Sequence, residues 1–135
     1  VKTSNPSSGE LQDLPTGDEA IHEHMAQLVE AWGTEVLGPE TSLSAIGAVV
    51  GATYPEELKY LRTLMPHCPF LIPGYGAQGG GAKDIKDGFI PDGTGAIVNS
   101  SRGIIFASNG SDWKEAAAKA ARDMAEEIDG VINSN

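Results

Sequence analysis

A chain of 135 residues with nine Lys plus Arg against nineteen Asp plus Glu carries a net charge of -10. With no Lys/Arg block along its length, this balance excludes a general nucleic-acid surface. No apolar stretch approaches the roughly 20 residues that a membrane-spanning helix needs, and the single cysteine, Cys68, precludes an internal disulfide, so the sequence reads as soluble and cytoplasmic, away from membranes.

The chain opens on Val1-Lys2-Thr3-Ser4, without an initiator Met or a charged-then-apolar leader, as expected of a segment cut from something longer. Seventeen glycines and short apolar runs separated by helical patterns indicate α/β units. Val1 to Thr3 reads as the stub of a first strand, breaking into a polar turn from Ser4 to Gly9, and a loop follows from Glu10 to Gly17. Asp18 is placed to cap a helix running to about Trp32, with Ile21, Met25, Leu28 and Val29 at helical spacing on its core face.

A second strand, Ile46 to Gly51, is small and apolar on both faces, the pattern of a parallel strand covered on each side, and Ala52-Thr53 ends it. Pro55 at a first helical position, Glu56 and Glu57 in the first turn, and Leu58, Leu61, Leu64 and Met65 describe an amphipathic helix that Pro66 and Pro69 stop. The third strand, Phe70 to Ile72, runs into Pro73-Gly74-Tyr75-Gly76-Ala77-Gln78-Gly79-Gly80-Gly81, which holds five glycines in nine residues. The fourth, Gly95 to Asn99, meets Ser100-Ser101-Arg102-Gly103 and a short apolar turn, Ile104 to Ala107. A last helix from about Ser111 to Ile128 turns Trp113, Ala117, Ala120 and Met124 inward.

Strand, loop and helix repeated four times, without hairpin signals, fit an open doubly wound sheet or half of a barrel. The barrel is favoured because phosphate-type chemistry stands at two consecutive strand ends, and in TIM barrels the loops after strands 7 and 8 form the phosphate site. The expected fold is therefore the carboxy-terminal half, strands 5 to 8, of a (β/α)8 barrel. Residues 1–135 would form half of a single domain whose amino-terminal half lies outside this chain.

The chemistry of those two loops is legible. Gly76, Gly79, Gly80 and Gly81 permit positive φ angles and close backbone approach, so that successive N–H groups can converge on an anion. Ser100 and Ser101 offer hydroxyl and amide donors, and Arg102 adds a fixed charge with forked donors. Either feature alone has a plain reading, as a flexible connection or a solvated surface arginine. Their conjunction suits a phosphate monoester.

These same strings, Leu71-Ile72-Pro73-Gly74-Tyr75-Gly76-Ala77-Gln78-Gly79-Gly80 with Asn99-Ser100-Ser101-Arg102-Gly103, resemble orotidine 5'-phosphate decarboxylase in its longer bacterial form. Val1 to Ser8 looks like that family's fifth strand end, and Val49-Val50-Gly51-Ala52-Thr53-Tyr54-Pro55-Glu56 like its sixth. The resemblance implies conversion of orotidine 5'-phosphate to uridine 5'-phosphate in pyrimidine biosynthesis, with no metal or organic cofactor. It implies that Gln78 bridges the phosphate and a pyrimidine carbonyl, and that Arg102 pairs with the phosphate alongside Gly79, Gly80 and Ser101. Ser4, with Asn5 beside it, would meet the pyrimidine edge, while Pro73 and Thr53 wall the ring. It further implies a homodimer of the full enzyme.

The family's alternating Lys and Asp network, carried by an Asp-x-Lys-x-x-Asp segment, does not occur in this sequence. Asp84-Ile85-Lys86-Asp87 has the wrong spacing and reads as a solvated loop or short helix. No catalytic residue is therefore assigned to this chain, which is expected to act with the missing half and to be inactive alone. A non-catalytic phosphate-binding half-barrel and another sugar-phosphate barrel enzyme stand as alternatives. His22 and His24 lie two apart on a helix and do not face each other, His67 has no ligand-spaced partner and Cys68 no adjacent base, so no metal site is expected. Tyr75 either closes over a ligand or packs the loop.

Overall fold

The computed structural model describes residues 1–76 and 80–134. Lys2 pairs in parallel with Val50, its amide donating to the Val49 carbonyl at 3.3 Å and its carbonyl accepting from the Gly51 amide at 2.8 Å, so the first residues act as a strand stub. The next segment differs from the expected loop. Gly9–Gln12 forms one helical turn, α1, and β1 (Pro15–Thr16) pairs antiparallel with β2 (Glu19–Ala20). The hairpin forms because Gly17 takes φ +78°, a left-handed value that a side chain disfavours, and because the Thr16 hydroxyl donates to the Glu19 carbonyl at 3.2 Å.

That hairpin occupies Asp18, so the helix α2 (Ile21–Gly33) starts later than the sequence suggests. Its entry is closed instead by Glu23, whose carboxylate accepts the Ala20 amide at 2.6 Å, the reciprocal half of a capping box. The buried face is His22, Ala26, Val29 and Gly33; Val29 is as expected, whereas Ile21 and Leu28 are half-buried and Met25 is exposed. Small residues let α2 lie close, as Gly33 shows: a Cβ there would stand 2.4 Å from the Ser44 hydroxyl.

β3 (Ala48–Val49), β4 (Phe70–Pro73) and β5 (Ala96–Asn99) form one parallel sheet in sequence order, with the Lys2 stub on the outer side of β3. Strand order that never reverses has no switch point, which separates this architecture from a doubly wound sheet. Between the strands, α3 (Pro55–Leu64) starts on Pro55 as expected and buries Leu58 and Leu61, with Met65 just beyond its end. α4 (Ala82–Ile85) and a 3-10 turn at Lys86–Gly88 take up the Asp84 to Asp87 segment. α5 (Ser101–Ile105) and α6 (Trp113–Ile132) complete the chain, with Ile128 of α6 buried and Trp113 exposed, contrary to its expected inward position.

The core lies on one side of the sheet only. Ala48, Val50, Phe70 and Ile72 pack against Leu58, Leu61 and Met65 and against Ala26 and Val29 of α2. The opposite face corrects the expectation of strands covered on both sides. Val49, Leu71 and Ile97, aligned by strand register, are 42%, 41% and 67% exposed. Alternation at period two sends each to the face that bears no helix.

Arg62, which the sequence reading passed over, ties the amino-terminal end of this sheet. Its guanidinium stacks 3.6 Å above the Phe70 ring and donates to the carbonyls of Met65, Cys68, Gly88 and Gly95. Burial pushes its pKa down to about 10, so it stays charged at neutral pH. Cys68 is buried, donating to the Ile46 carbonyl at 3.0 Å.

Candidate functional site at the carboxy-terminal strand ends

A parallel sheet built in sequence order brings all its strand-end loops to one rim. At the first strand end, Gly51 has no room for a side chain: a Cβ there would lie 2.6 Å from the Ser4 nitrogen. Ser4 therefore sits directly against the end of the second strand, with Asn5 exposed beside it. The Ala52 amide then donates to the Pro73 carbonyl at 2.9 Å, carrying the pairing one residue past β3. Thr53 follows, and its hydroxyl oxygen is buried without a hydrogen-bond partner among the described residues. A buried hydroxyl lacking a partner carries a desolvation cost that a bound polar group would offset.

Pro73 pairs in register with Asn99. Both stand two residues beyond Leu71 and Ile97, hence on the same uncovered face, so the apolar row lies directly beneath the rim. Asn99 stood in the sequence motif but was given no role there; the strand alternation from Ile97 is the signal that places it.

The glycine segment begins with a reversal that needs glycine twice, Gly74 at φ +98° and Gly76 at φ +71°. Gly76 donates its amide to the Gly80 carbonyl at 2.7 Å, and Tyr75 pairs with Gly80, so the two stems of the segment are joined. Gly80 is pressed onto the second strand end, where a Cβ would come within 2.7 Å of the Ala52 Cβ. The Gly81 amide is taken by the Asp84 carboxylate at 2.8 Å, which starts α4. Gln78 and Gly79, expected to meet the ligand, lie outside the described residues.

Tyr75 resolves toward packing. It is 7% exposed, and its phenol donates to the Glu127 carboxylate of α6 at 2.6 Å. Burial first, then the hydrogen bond and the neighbouring negative charge, push its pKa far above the ordinary phenol value, so it stays protonated. The Ser100 hydroxyl donates to the Tyr75 carbonyl at 3.0 Å, joining the end of β5 to the glycine segment. Ser101 and Arg102 occupy the first turn of α5, both exposed, and no carboxylate among the described residues lies within ion-pair distance of Arg102.

Among the described residues, Lys2 is the one fully buried cation. It points to the helix side of the sheet, where it pairs with Asp13 and stands 3.4 Å from Glu57 and 5.1 Å from the centre of the Tyr54 ring. His22 is buried with Nδ1 2.8 Å from the Gln12 carbonyl oxygen, and His67 pairs with Glu30 at 2.5 Å. These groups hold loops and helices to one another. Among the described residues, no three His, Cys, Asp or Glu side chains come together as a metal-binding group.

No family model matches the chain. An orotidine 5'-phosphate decarboxylase of Rhodopirellula baltica is 43% identical to it over 139 aligned residues, covering 96% of the chain and 46% of that protein. One of Variovorax paradoxus is 46% identical over 126 residues, covering 90% of the chain and 43% of that protein. Among solved structures, the Leishmania donovani OMP decarboxylase superposes with a TM-score of 0.72 at 33% identity, covering 97% of the chain and 46% of its partner in the comparison. The chain thus spans about half the length of the curated relatives it matches. Over nearly its whole length it is similar to part of the orotidine 5'-phosphate decarboxylases, and it has the α/β architecture of the carboxy-terminal half of their (β/α)8 barrel.

Proposed function

We propose that this chain supplies the phosphate- and pyrimidine-binding side of an orotidine 5'-phosphate decarboxylase, and that an amino-terminal half outside these residues supplies the Lys and Asp groups of the reaction. The observation that carries the reading is the junction of the glycine segment with the Ser100–Arg102 turn through the Ser100 hydroxyl and the Tyr75 carbonyl. It sets two donor-rich loops side by side at consecutive strand ends, where a phosphate monoester would be held. Arg102 would pair with that phosphate, with Ser101, Gly79 and Gly80 contributing donors. Gln78 would bridge to the pyrimidine, Ser4 and Asn5 would meet its edge, and Thr53 and Pro73 would wall the ring. The Thr53 hydroxyl, buried without a partner among the described residues, fits a polar ligand there.

Binding energy gained at the phosphate, remote from the carboxylate that leaves, can be used to order loops and position the reacting ring. In this reading the chain contributes the grip and its missing half the proton. The exposed row of Val49, Leu71 and Ile97 supports the same division, because it is the surface that the amino-terminal half would cover in a closed barrel. The working enzyme would then be a cytoplasmic homodimer of completed barrels, needing neither metal nor organic cofactor.

The test combines this chain with the amino-terminal half and follows loss of orotidine 5'-phosphate. Turnover by the pair, absent from either part, supports the reading. A completed barrel that neither turns over orotidine 5'-phosphate nor binds uridine 5'-phosphate overturns it.

A further inference from the structure

We propose that Tyr75 and Glu127 are a positioning pair that sets the backbone of the stem Gly74–Gly76 from outside the site and so tunes affinity for the phosphate monoester. The inference rests on the phosphate-binding reading above and extends it to a residue of the last helix that touches no ligand.

Three bonds converge on Tyr75. Its phenol is held by Glu127, its carbonyl by the Ser100 hydroxyl, and the following amide, of Gly76, by the Gly80 carbonyl. Tyr75 is flanked by Gly74 and Gly76, both at positive φ, so the backbone on either side is made of residues with little conformational preference of their own. A stem of that composition, Gly74 to Gly76, needs an external anchor to hold its backbone in place. The side chain provides one, since a phenol donating to a carboxylate makes a charge-assisted bond stronger than a neutral one.

Glu127 is well placed to be that anchor. It lies on α6, a 20-residue helix, immediately before the buried Ile128, which fixes the helix against the core. The pair spans 52 residues of sequence and joins the last helix to the loop that leaves β4. Releasing the phenol would free Tyr75 to shift, and its carbonyl would carry Ser100 with it, disturbing both phosphate-side loops together. A neutral packing role for Tyr75 predicts no such selectivity for the phosphate group.

The experiment measures competition by uridine 5'-phosphate and by phosphate-free uridine on the completed barrel, for wild type, Tyr75→Phe, Glu127→Ala and Glu127→Gln. Loss of the bond should weaken uridine 5'-phosphate about tenfold in Tyr75→Phe and Glu127→Ala, the size expected for a hydrogen bond to a charged group, and leave uridine within about twofold. Glu127→Gln, which keeps an acceptor, should recover most of the affinity. Should Tyr75→Phe fail to fold, Glu127→Ala at an exposed helix position carries the same comparison. Equal losses for both ligands, or wild-type affinity for uridine 5'-phosphate in the variants, would sink the positioning role while leaving the phosphate site standing. A wild-type barrel indifferent to uridine 5'-phosphate would overturn the underlying reading and the pair with it.

Discussion

Ser100 donates its hydroxyl to the Tyr75 carbonyl across 3.0 Å and so locks the end of one strand to the glycine segment that leaves its neighbour. Both groups are buried, so the bond has no competition from water. Ser100→Ala would leave the Tyr75 carbonyl without this donor, and we expect a loss of about 1 to 2 kcal/mol. Thermal unfolding of the variant checks it: an unchanged midpoint would mean that water replaces the hydroxyl.

Gly51 and Gly80 are fixed by contact, without requiring unusual dihedrals. A methyl group at Gly51 meets the backbone of Ser4 at 2.6 to 2.8 Å, and one at Gly80 meets Ala52 at 2.7 Å. Backbone cannot step aside as a flexible side chain does, so Gly51→Ala should destabilise by roughly 1 to 3 kcal/mol and detach the first strand stub. Amide exchange at Lys2 and Gly51 reads this directly; retained protection at both would refute it.

Arg62 gives a prediction at the other end of the sheet. Its guanidinium serves four carbonyls and one aromatic face, a pattern an ammonium cannot reproduce. Arg62→Lys should therefore cost about 2 to 4 kcal/mol, close to the loss on Arg62→Met, by chemical denaturation. Near-neutral behaviour of the lysine variant would show that charge alone suffices.

Cys68 sets a pH dependence. Burial pushes its thiol up to about 11 from an ordinary 9.0. The folded state therefore holds its proton in a range where the unfolded state has lost it, and by linkage stability falls as pH rises from about 9 to about 11. Cys68→Ala should flatten that part of the stability curve, and the wild-type thiol should resist alkylation at pH 8 until the protein unfolds. Rapid labelling of the folded protein would contradict its burial.

The uncovered sheet face offers a separation of stability from assembly. Leu71→Thr with Ile97→Thr changes two side chains that are 41% and 67% exposed, so the chain's own stability should move by no more than about 0.5 kcal/mol per site. On the proposal that the amino-terminal half covers this face, association with that half should weaken at least tenfold, as expected for losing apolar burial in a barrel interior. Analytical ultracentrifugation of the mixture tests it, and undiminished association would place the contact elsewhere.

What could be read in the sequence was whatever local chemistry dictates. Pro55 followed by two glutamates marks a helix start because proline lacks the amide that the first turn leaves unpaired, and α3 begins there. The runs Phe70 to Ile72 and Gly95 to Asn99 declare strands by length and composition, and the glycines of the Pro73 to Gly81 segment declare a turn that bulky residues would obstruct. The likeness to orotidine 5'-phosphate decarboxylase was likewise carried by contiguous residues.

The tertiary structure decided what depends on separation in the chain. Nothing near Asp18 announces that a hairpin around Gly17 will consume it, because the hairpin is two residues on each side and competes with a capping signal of similar strength. The burial of His22 and Ala26 in place of Met25 on α2 follows from what packs against the helix, as His22 shows by bonding the Gln12 carbonyl, a property of the neighbour as much as of the helix. Tyr75 could have closed over a ligand or packed the loop, and only the arrival of Glu127, 52 residues later, holds it buried against α6. Local sequence sets what each segment can form, whereas long-range contact selects among those forms, since burial and hydrogen-bond satisfaction belong to pairs that the chain brings together only on folding.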